Sequence, residues 1–156
     1  MTGDSGADRK GGPIRRFMQR MQQKNPSTSW SLADCKAVLS THPDDVEALH
    51  ECGVKLARNG CLPEAVDAFE RILTLDDAHK ESYNNLANIA LERGNLDVAE
   101  QLYRAALSID PDYCIALENL ALVYRRRGDR EAYVSTMRES ARRQRGLHRM
   151  VRWIVG

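Results

Sequence analysis

The sequence predicts an all-α protein that is built as a stack of about three helical hairpins. Gly60, Gly94 and Gly128 recur at equal intervals of thirty-four positions. The segments before these glycines share one pattern of small and bulky residues, which reads Leu49-x-x-Cys52-Gly53-x-x-Leu56, Tyr83-x-x-Leu86-Ala87-x-x-Ala90 and Leu117-x-x-Leu120-Ala121-x-x-Tyr124. A fixed period of this length indicates one structural unit repeated along the chain.

Helix packing explains the pattern. Two helices of about a dozen residues cannot bury both of their apolar faces alone, so successive hairpins must stack to form a continuous core. Gly53, Ala87 and Ala121 are small enough to let the first helix of each hairpin approach its partner. Each turn glycine is expected to end a helix in the left-handed backbone conformation.

The chain divides into three regions. Residues 1–29 are predicted to form a disordered and then basic amphipathic N-terminal segment, residues 30–145 the repeat domain, and residues 146–156 a basic amphipathic C-terminal tail. Within the repeat domain, a lone helix is predicted over residues 31–40, as the second helix of an incomplete preceding repeat. The hairpins follow it, beginning at residues 46, 80 and 114 and covering roughly Val46 to Leu75, Lys80 to Ile109, and Cys114 to Arg143.

From about Val46 to Arg145, the repeated pattern resembles the tetratricopeptide repeat family. The resemblance implies a right-handed superhelical stack whose usual work is to bind other proteins. In that family the first helices of the hairpins line an inner groove that holds an extended peptide or a partner's helix. The resemblance therefore implies a protein partner and no small-molecule substrate.

The family pattern assigns groove-facing positions residue by residue. They are Glu47, His50, Glu51, Val54 and Arg58 in the first hairpin, Glu81, Asn84, Asn85, Asn88, Leu91 and Glu92 in the second, and Ile115, Glu118, Asn119, Leu122, Arg125 and Arg126 in the third. Asn85 and Asn119 occupy equivalent positions of successive repeats and resemble the asparagine ladder by which some members grip peptide backbone. An amide both donates and accepts hydrogen bonds, so it can pair with any peptide bond. The alternative is that these residues are polar helix positions facing water.

One subgroup of the family is disfavoured. Chaperone-binding members clamp a C-terminal carboxylate with lysines and asparagines from three successive first helices. Here His50 and Ile115 occupy lysine positions, and Val54 occupies an asparagine position. A carboxylate would meet little positive charge, and the glutamates of the groove favour a basic or amphipathic segment.

The net charge of +1 conceals a strong division. Residues 1–29 carry six Lys/Arg against two Asp/Glu, residues 30–128 carry ten against seventeen, and residues 129–156 carry seven against three. An acidic repeat body thus lies between two basic ends. Such asymmetry often reflects a partner, although a solvated face is the commoner origin of a charged stretch. The acidic body argues against nucleic acid, even with the arginine-rich stretch from Arg138 to Arg152.

Both ends carry apolar residues at helical spacing with arginines off that face. The terminal docking candidates are Ile14, Phe17, Met18 and Met21 at one end, and Leu147, Met150, Val151, Trp153 and Ile154 at the other. Short basic amphipathic helices dock in a protein groove or lie on an anionic membrane surface. A third interpretation, for the C-terminal segment above all, is that it caps the last hairpin.

No motif for catalysis is found in the sequence. It contains no phosphate loop, no H-E-x-x-H, no G-x-S-x-G and no glycine-rich dinucleotide fingerprint. We therefore predict that the protein is not an enzyme and needs no cofactor. The histidines are scattered, so no metal site is predicted, and the four cysteines are expected to be buried thiols.

The expected location is the cytoplasm, with peripheral membrane contact as an addition. No apolar run approaches the roughly 18 residues that suggest a membrane-spanning helix, and residues 1–12 lack the apolar stretch of a secretory signal. The predicted function is that of a non-catalytic adaptor or assembly factor that holds a protein segment in its groove. The alternatives are a peripheral membrane scaffold anchored by its basic ends and, from another class, an RNA-binding protein.

Overall fold

The computed structural model describes residues 31–41 and 43–155, and for Leu32, Lys36 and residues 147–155 it describes the helical backbone alone. These residues form seven helices. They are α1 (Leu32–Thr41), α2 (Val46–Arg58), α3 (Leu62–Leu75), α4 (Lys80–Glu92), α5 (Leu96–Ile109), α6 (Cys114–Arg127) and α7 (Arg130–Val155). The all-α hairpin stack predicted from the repeat is confirmed, with α2 and α3, α4 and α5, and α6 and α7 as the three hairpins.

The three turn glycines adopt the predicted left-handed conformation. Their φ angles are 77° at Gly60, 78° at Gly94 and 79° at Gly128, and they are the positive-φ residues of the described chain. The residue after each glycine donates its backbone N–H to a carbonyl five residues earlier, at 2.9 Å in all three turns. The same hydrogen-bonded turn therefore closes every hairpin.

The core is continuous because each hairpin shares its apolar residues with the next. One buried cluster joins α2 and α3 to Leu86 and Ile89 of α4. A second joins α4 and α5 to Ala116, Leu120 and Val123 of α6. The half-buried Leu102 packs against both clusters, which is the nearest-neighbour arrangement of a repeat stack.

Helix α1 occupies the place of a second helix. Its Ser40 hydroxyl donates to the carbonyl three residues earlier at 2.7 Å, and Thr74 of α3 and Ser108 of α5, at the equivalent repeat positions, do the same at 2.7 Å. Buried Cys35 and Val38 of α1 pack with Ala48 and Cys52 of α2. The start of the stack is thus covered by half a repeat.

Helix α7 is longer than the hairpin requires. It continues as one helix to Val155, past the boundary expected at residue 146 between repeat domain and tail. The physical reason is that the segment contains no proline, and a single internal glycine such as Gly146 costs a helix only about 1 kcal/mol. Among the described residues, none of the helices is both long enough and apolar enough to cross a membrane.

The cysteines are partly as expected. Cys35 and Cys52 are buried, and burial raises the pKa of the Cys52 thiol, but Cys61 and Cys114 are only half-buried. Cys61 immediately precedes α3 and Cys114 begins α6, so both lie at the ends of the hairpins and not in the middle of the stacked helices.

Candidate functional site

The first helices α2, α4 and α6 lie side by side and parallel, and their exposed faces form the candidate site. Three of the hydrogen bonds that join them link residues 35 apart. Nδ2 of Asn85 lies 3.2 Å from Nε2 of His50, Nδ2 of Asn119 donates to Oδ1 of Asn84 at 3.1 Å, and a guanidinium nitrogen of Arg126 donates to the carbonyl of Leu91 at 2.5 Å. Because this separation is the same in all three bonds, the same register holds at both junctions.

Asn119 lies at the centre of a polar network on this face. Its amide nitrogen also donates to Oδ1 of Asn88 at 3.2 Å, and that oxygen accepts a hydrogen bond from the hydroxyl of Tyr103 at 2.6 Å. Tyr103 is fully buried in α5, and burial raises its pKa, so the hydroxyl stays protonated and donates. The buried core thereby orients Asn88, which in turn orients Asn119.

The amide oxygens of Asn85 and Asn119 are the groups that this network leaves available. Within residues 31–41 and 43–146, their amide nitrogens have protein partners, while their Oδ1 atoms have none. A free carbonyl oxygen accepts hydrogen bonds from backbone N–H groups or from cationic side chains. The asparagine pair therefore presents one acceptor at the same position of two successive repeats.

The predicted groove residues differ in exposure. Exposed side chains belong to Glu47, Glu51, Arg58, Asn88, Glu92, Ile115, Arg125 and Arg126, and half-buried ones to His50, Val54, Glu81, Asn85, Glu118, Asn119 and Leu122. Asn84 and Leu91 are instead buried, at 5% and 8% exposure. Since the neighbouring first helix covers these two positions through Asn119 and Arg126, they support the face and contribute little surface to it.

Charge is segregated across this face. Glu47, Glu51, Glu81 and Glu118 lie in the N-terminal halves of their helices, whereas Arg58, Arg125 and Arg126 lie in the last turns, together with Glu92. Because the three helices are parallel, the glutamates follow one rim and the arginines the other. The surface is thus acidic along one rim and, apart from Glu92, basic along the other.

The acidic rim contains an electrostatically unusual histidine. The ring of His50 lies 5.4 Å from that of His79 and 6.1 Å from that of Phe69, between centroids. Burial lowers the pKa of His50, and the neighbouring His79 lowers it further, against the opposing pull of Glu51 and Glu81. His79 was not among the groove candidates, although its place one residue before a predicted helix could have indicated that it reaches the groove edge.

Helix α7 packs against α6, the last of the three first helices, and so bounds the candidate site on that side. Oε1 of Glu118 accepts hydrogen bonds from Oγ of Ser140 at 3.3 Å and from Nε2 of Gln144 at 2.6 Å. Arg143 pairs with Asp112 and with Glu139, and it donates to the carbonyl of Pro111. Glu118 is therefore engaged within the chain, while Ile115, one turn earlier, is 56% exposed.

The structure describes only the C-terminal group of the docking candidates, and of that group only the backbone. Ile14, Phe17, Met18 and Met21 lie outside the described residues, and Leu147, Met150, Val151, Trp153 and Ile154 lie on the backbone of α7. Within the described residues, no cluster of three His, Cys, Asp or Glu side chains is arranged to hold a metal ion.

Comparison with known proteins identifies the repeat. The family model of the tetratricopeptide repeat matches residues 53–113 and 84–132, which together make up half of the chain. A curated relative, the Photosystem I assembly protein Ycf3 of Cyanophora paradoxa, is 31% identical over 88 residues, which cover 54% of this chain and 51% of that protein. The match thus spans about half the length of the relative.

Two solved structures that carry the name MamA have the same fold. The crystal structure of MamA superposes with a TM-score of 0.70 at 18% identity, over 86% of this chain and 88% of that one. The MamA RS-1 ArsTM double mutant gives a TM-score of 0.68 at 21% identity, over 82% and 72% of the two chains. At these identities, the likeness concerns the fold.

Proposed function

Because the chain belongs to the tetratricopeptide repeat family, we propose that it is a non-catalytic adaptor or assembly factor that holds a segment of a partner protein against its first helices. The similarity to an assembly protein over half the chain supports the assembly role. The segment is an extended peptide or a helix, and it docks on the face formed by α2, α4 and α6.

The observation that carries this proposal is the pair of free amide oxygens on Asn85 and Asn119. Their nitrogens are held by His50, Asn84 and Asn88, so both oxygens are fixed in orientation before a partner arrives. Preorganised groups bind with a smaller loss of entropy than mobile ones. Each oxygen accepts a hydrogen bond from the partner, which makes the ladder an acceptor ladder.

The surrounding side chains define the chemistry of the partner. Glu47 and Glu51 are exposed along the acidic rim, so the bound segment carries lysine or arginine on that side. Ile115 is exposed at the third hairpin and offers an apolar contact. A basic or amphipathic segment satisfies both features.

The test compares two matched double variants for binding to the partner. Affinity purification with mass spectrometry supplies the partner, and titration calorimetry with purified proteins measures its affinity. Glu51→Lys with Ile115→Asp alters the first helices, and Glu64→Lys with Val98→Asp makes the same kinds of change at exposed positions of the second helices α3 and α5. We expect the first variant to bind at least about tenfold more weakly, which is about 1.4 kcal/mol, and the second to bind normally. Equal effects of the two variants would remove the first helices from the binding site.

Peripheral membrane contact is a second candidate function, and the length of α7 favours it. This helix continues past Gln144, whose side chain bonds to α6, and Arg138, Arg142 and Arg145 are exposed along it. Arginines on a long terminal helix suit anionic lipid headgroups. Sedimentation of the full chain with anionic vesicles tests it, and vesicle binding that is absent at low salt would exclude it.

A further inference from the structure

Two histidines meet where the first hairpin joins the second. His50 lies in the middle of α2, and His79 immediately precedes α4. Their ring centroids are 5.4 Å apart, and the planes are inclined by 58°. Both side chains are half-buried, so only part of each ring is exposed to water.

Each ring uses an unprotonated nitrogen to hold this junction together. Nδ1 of His79 accepts the backbone N–H of the buried Ser82 at 3.2 Å and thereby caps the N-terminus of α4. Nε2 of His50 accepts from Nδ2 of Asn85 at 3.2 Å, which links α2 to α4. Because a backbone N–H and an amide nitrogen can only donate, both ring nitrogens must carry a free lone pair.

We propose that the His50–His79 pair is a pH-sensitive joint that loosens the contact between the first and second hairpins when it is protonated. A proton on Nδ1 of His79 removes the acceptor of the Ser82 backbone N–H and turns the ring into a donor to the Ser82 hydroxyl, which lies 2.9 Å from Nδ1. A proton on Nε2 of His50 abolishes the link to Asn85. Double protonation also places two positive charges side by side. The first helix of the candidate binding site is then less firmly held against the second.

The charged groups around the pair oppose this effect only in part. Glu51 of α2 and Glu81 of α4 face His50, and a carboxylate oxygen of Glu81 lies 3.9 Å from Nδ1 of His79. Lys80 of α4 lies 4.0 Å from Glu81 and is also paired with Asp110, and α3 contributes the uncharged ring of Phe69. The carboxylates attract the protonated rings, but they replace neither of the two acceptors that protonation removes.

The sign of the pH dependence follows from His50. Burial and His79 hold its pKa in the folded protein below that of a histidine in the unfolded chain, about 6.5. The unfolded chain therefore binds more protons between the two values. The contribution of neutral His50 to the free energy of unfolding is complete above its pKa in the unfolded chain, and it is lost as the pH falls through its pKa in the folded protein.

The joint is tested by thermal unfolding of the full chain at about pH 7.5 and about pH 5.5, on either side of the usual histidine pKa. The matched variant is His50→Gln with His79→Asp, since glutamine still accepts from Asn85 and aspartate still caps α4, and neither titrates in this range. His42 and His148 remain in both proteins and act as an internal control. We expect the melting temperature of the wild type to fall by several degrees on acidification and that of the variant to fall by less than half as much.

An equal fall in the two proteins would overturn the proposal. A titration of the histidine ring protons by NMR in the wild type provides a second test that does not depend on the variant's folding. A pKa for His50 at or above the unfolded value would likewise overturn it.

Discussion

A Cβ atom placed on Gly53 would lie 2.8 Å from Cε1 of Phe69. The helices α2 and α3 of the first hairpin therefore cross so closely that only a hydrogen atom fits between the backbone of one and the aromatic ring of the other. Phe69 is fully buried, and it belongs to the cluster that joins the first hairpin to the second. This contact explains why position 53 holds glycine where Ala87 and Ala121 stand in the other repeats.

Gly53→Ala is expected to destabilise the protein by about 1 to 3 kcal/mol, because the buried ring of Phe69 must shift to admit a methyl group. The direction is opposite to the usual effect in a helix, where alanine is favoured over glycine by about 1 kcal/mol. Gly146→Ala is the matched control, since Gly146 also lies inside a helix and, apart from the adjoining residues and backbone of that helix, no described atom comes within 4 Å of a Cβ placed there. Urea denaturation measures both, and a Gly53→Ala protein as stable as the wild type would contradict the close crossing.

Asn119→Ala is expected to lower stability as well as binding. The substitution leaves Oδ1 of the buried Asn84 without its donor, which costs about 1 to 3 kcal/mol. Asn85→Ala should cost less, because its partner His50 is half-buried and water can replace the lost bond. The melting temperatures of the two variants are compared with that of the wild type. Equal and negligible changes in melting temperature would show that the network does not join the repeats.

Glu100→Gln is expected to destabilise the stack at neutral pH and to flatten its acid dependence. Burial alone would raise the pKa of Glu100, but hydrogen bonds from Arg127 and Tyr124 and the charge of Arg104 outweigh burial and lower it. A carboxyl with a lowered pKa stabilises the fold above its unfolded pKa, and this stabilisation is lost as the pH falls through the folded value. We expect a loss of roughly 1 to 3 kcal/mol at pH 7, reduced from the value for a fully buried pair because Arg127 is partly exposed. The free energy of unfolding of both proteins is measured at neutral and at acid pH. If the wild type and Glu100→Gln differed by the same amount at both pH values, the prediction would be refuted.

Truncation after Arg145 is expected to leave the three hairpins folded and to remove one interaction with a protein. The bonds of Ser140, Arg143 and Gln144 to α6 and to the loop before it lie ahead of the cut. Circular dichroism, vesicle sedimentation and RNA gel shift compare the truncated and full chains. Contacts of exposed arginines with lipid or RNA are screened over about 8 to 10 Å at physiological ionic strength, whereas apolar burial is not. Vesicle binding that disappears both at high salt and on truncation would show a membrane contact in place of the protein contact. A large fall in melting temperature on truncation would show that residues 146–156 cap the stack.

The repeat, its length and the place of each hairpin could be predicted from the amino-acid pattern alone. The second helices were predicted to end at Leu75 and Ile109, where α3 and α5 do end. The left-handed glycines and the buried small residues were also predictable, because they depend on local backbone conformation and on the spacing of apolar residues along one helix. These properties recur in each repeat and so appear directly as a period.

Which polar side chains meet became clear only from the packing of the helices. Asn84 and Asn119 occupy adjacent helical positions in successive repeats, yet one is buried and the other retains a free acceptor. The meeting of His50 with His79 and the engagement of Glu118 by α7 were equally absent from the pattern. Such contacts depend on the distance and crossing angle between helices that are far apart in the chain, and a spacing rule within one helix contains no information about either.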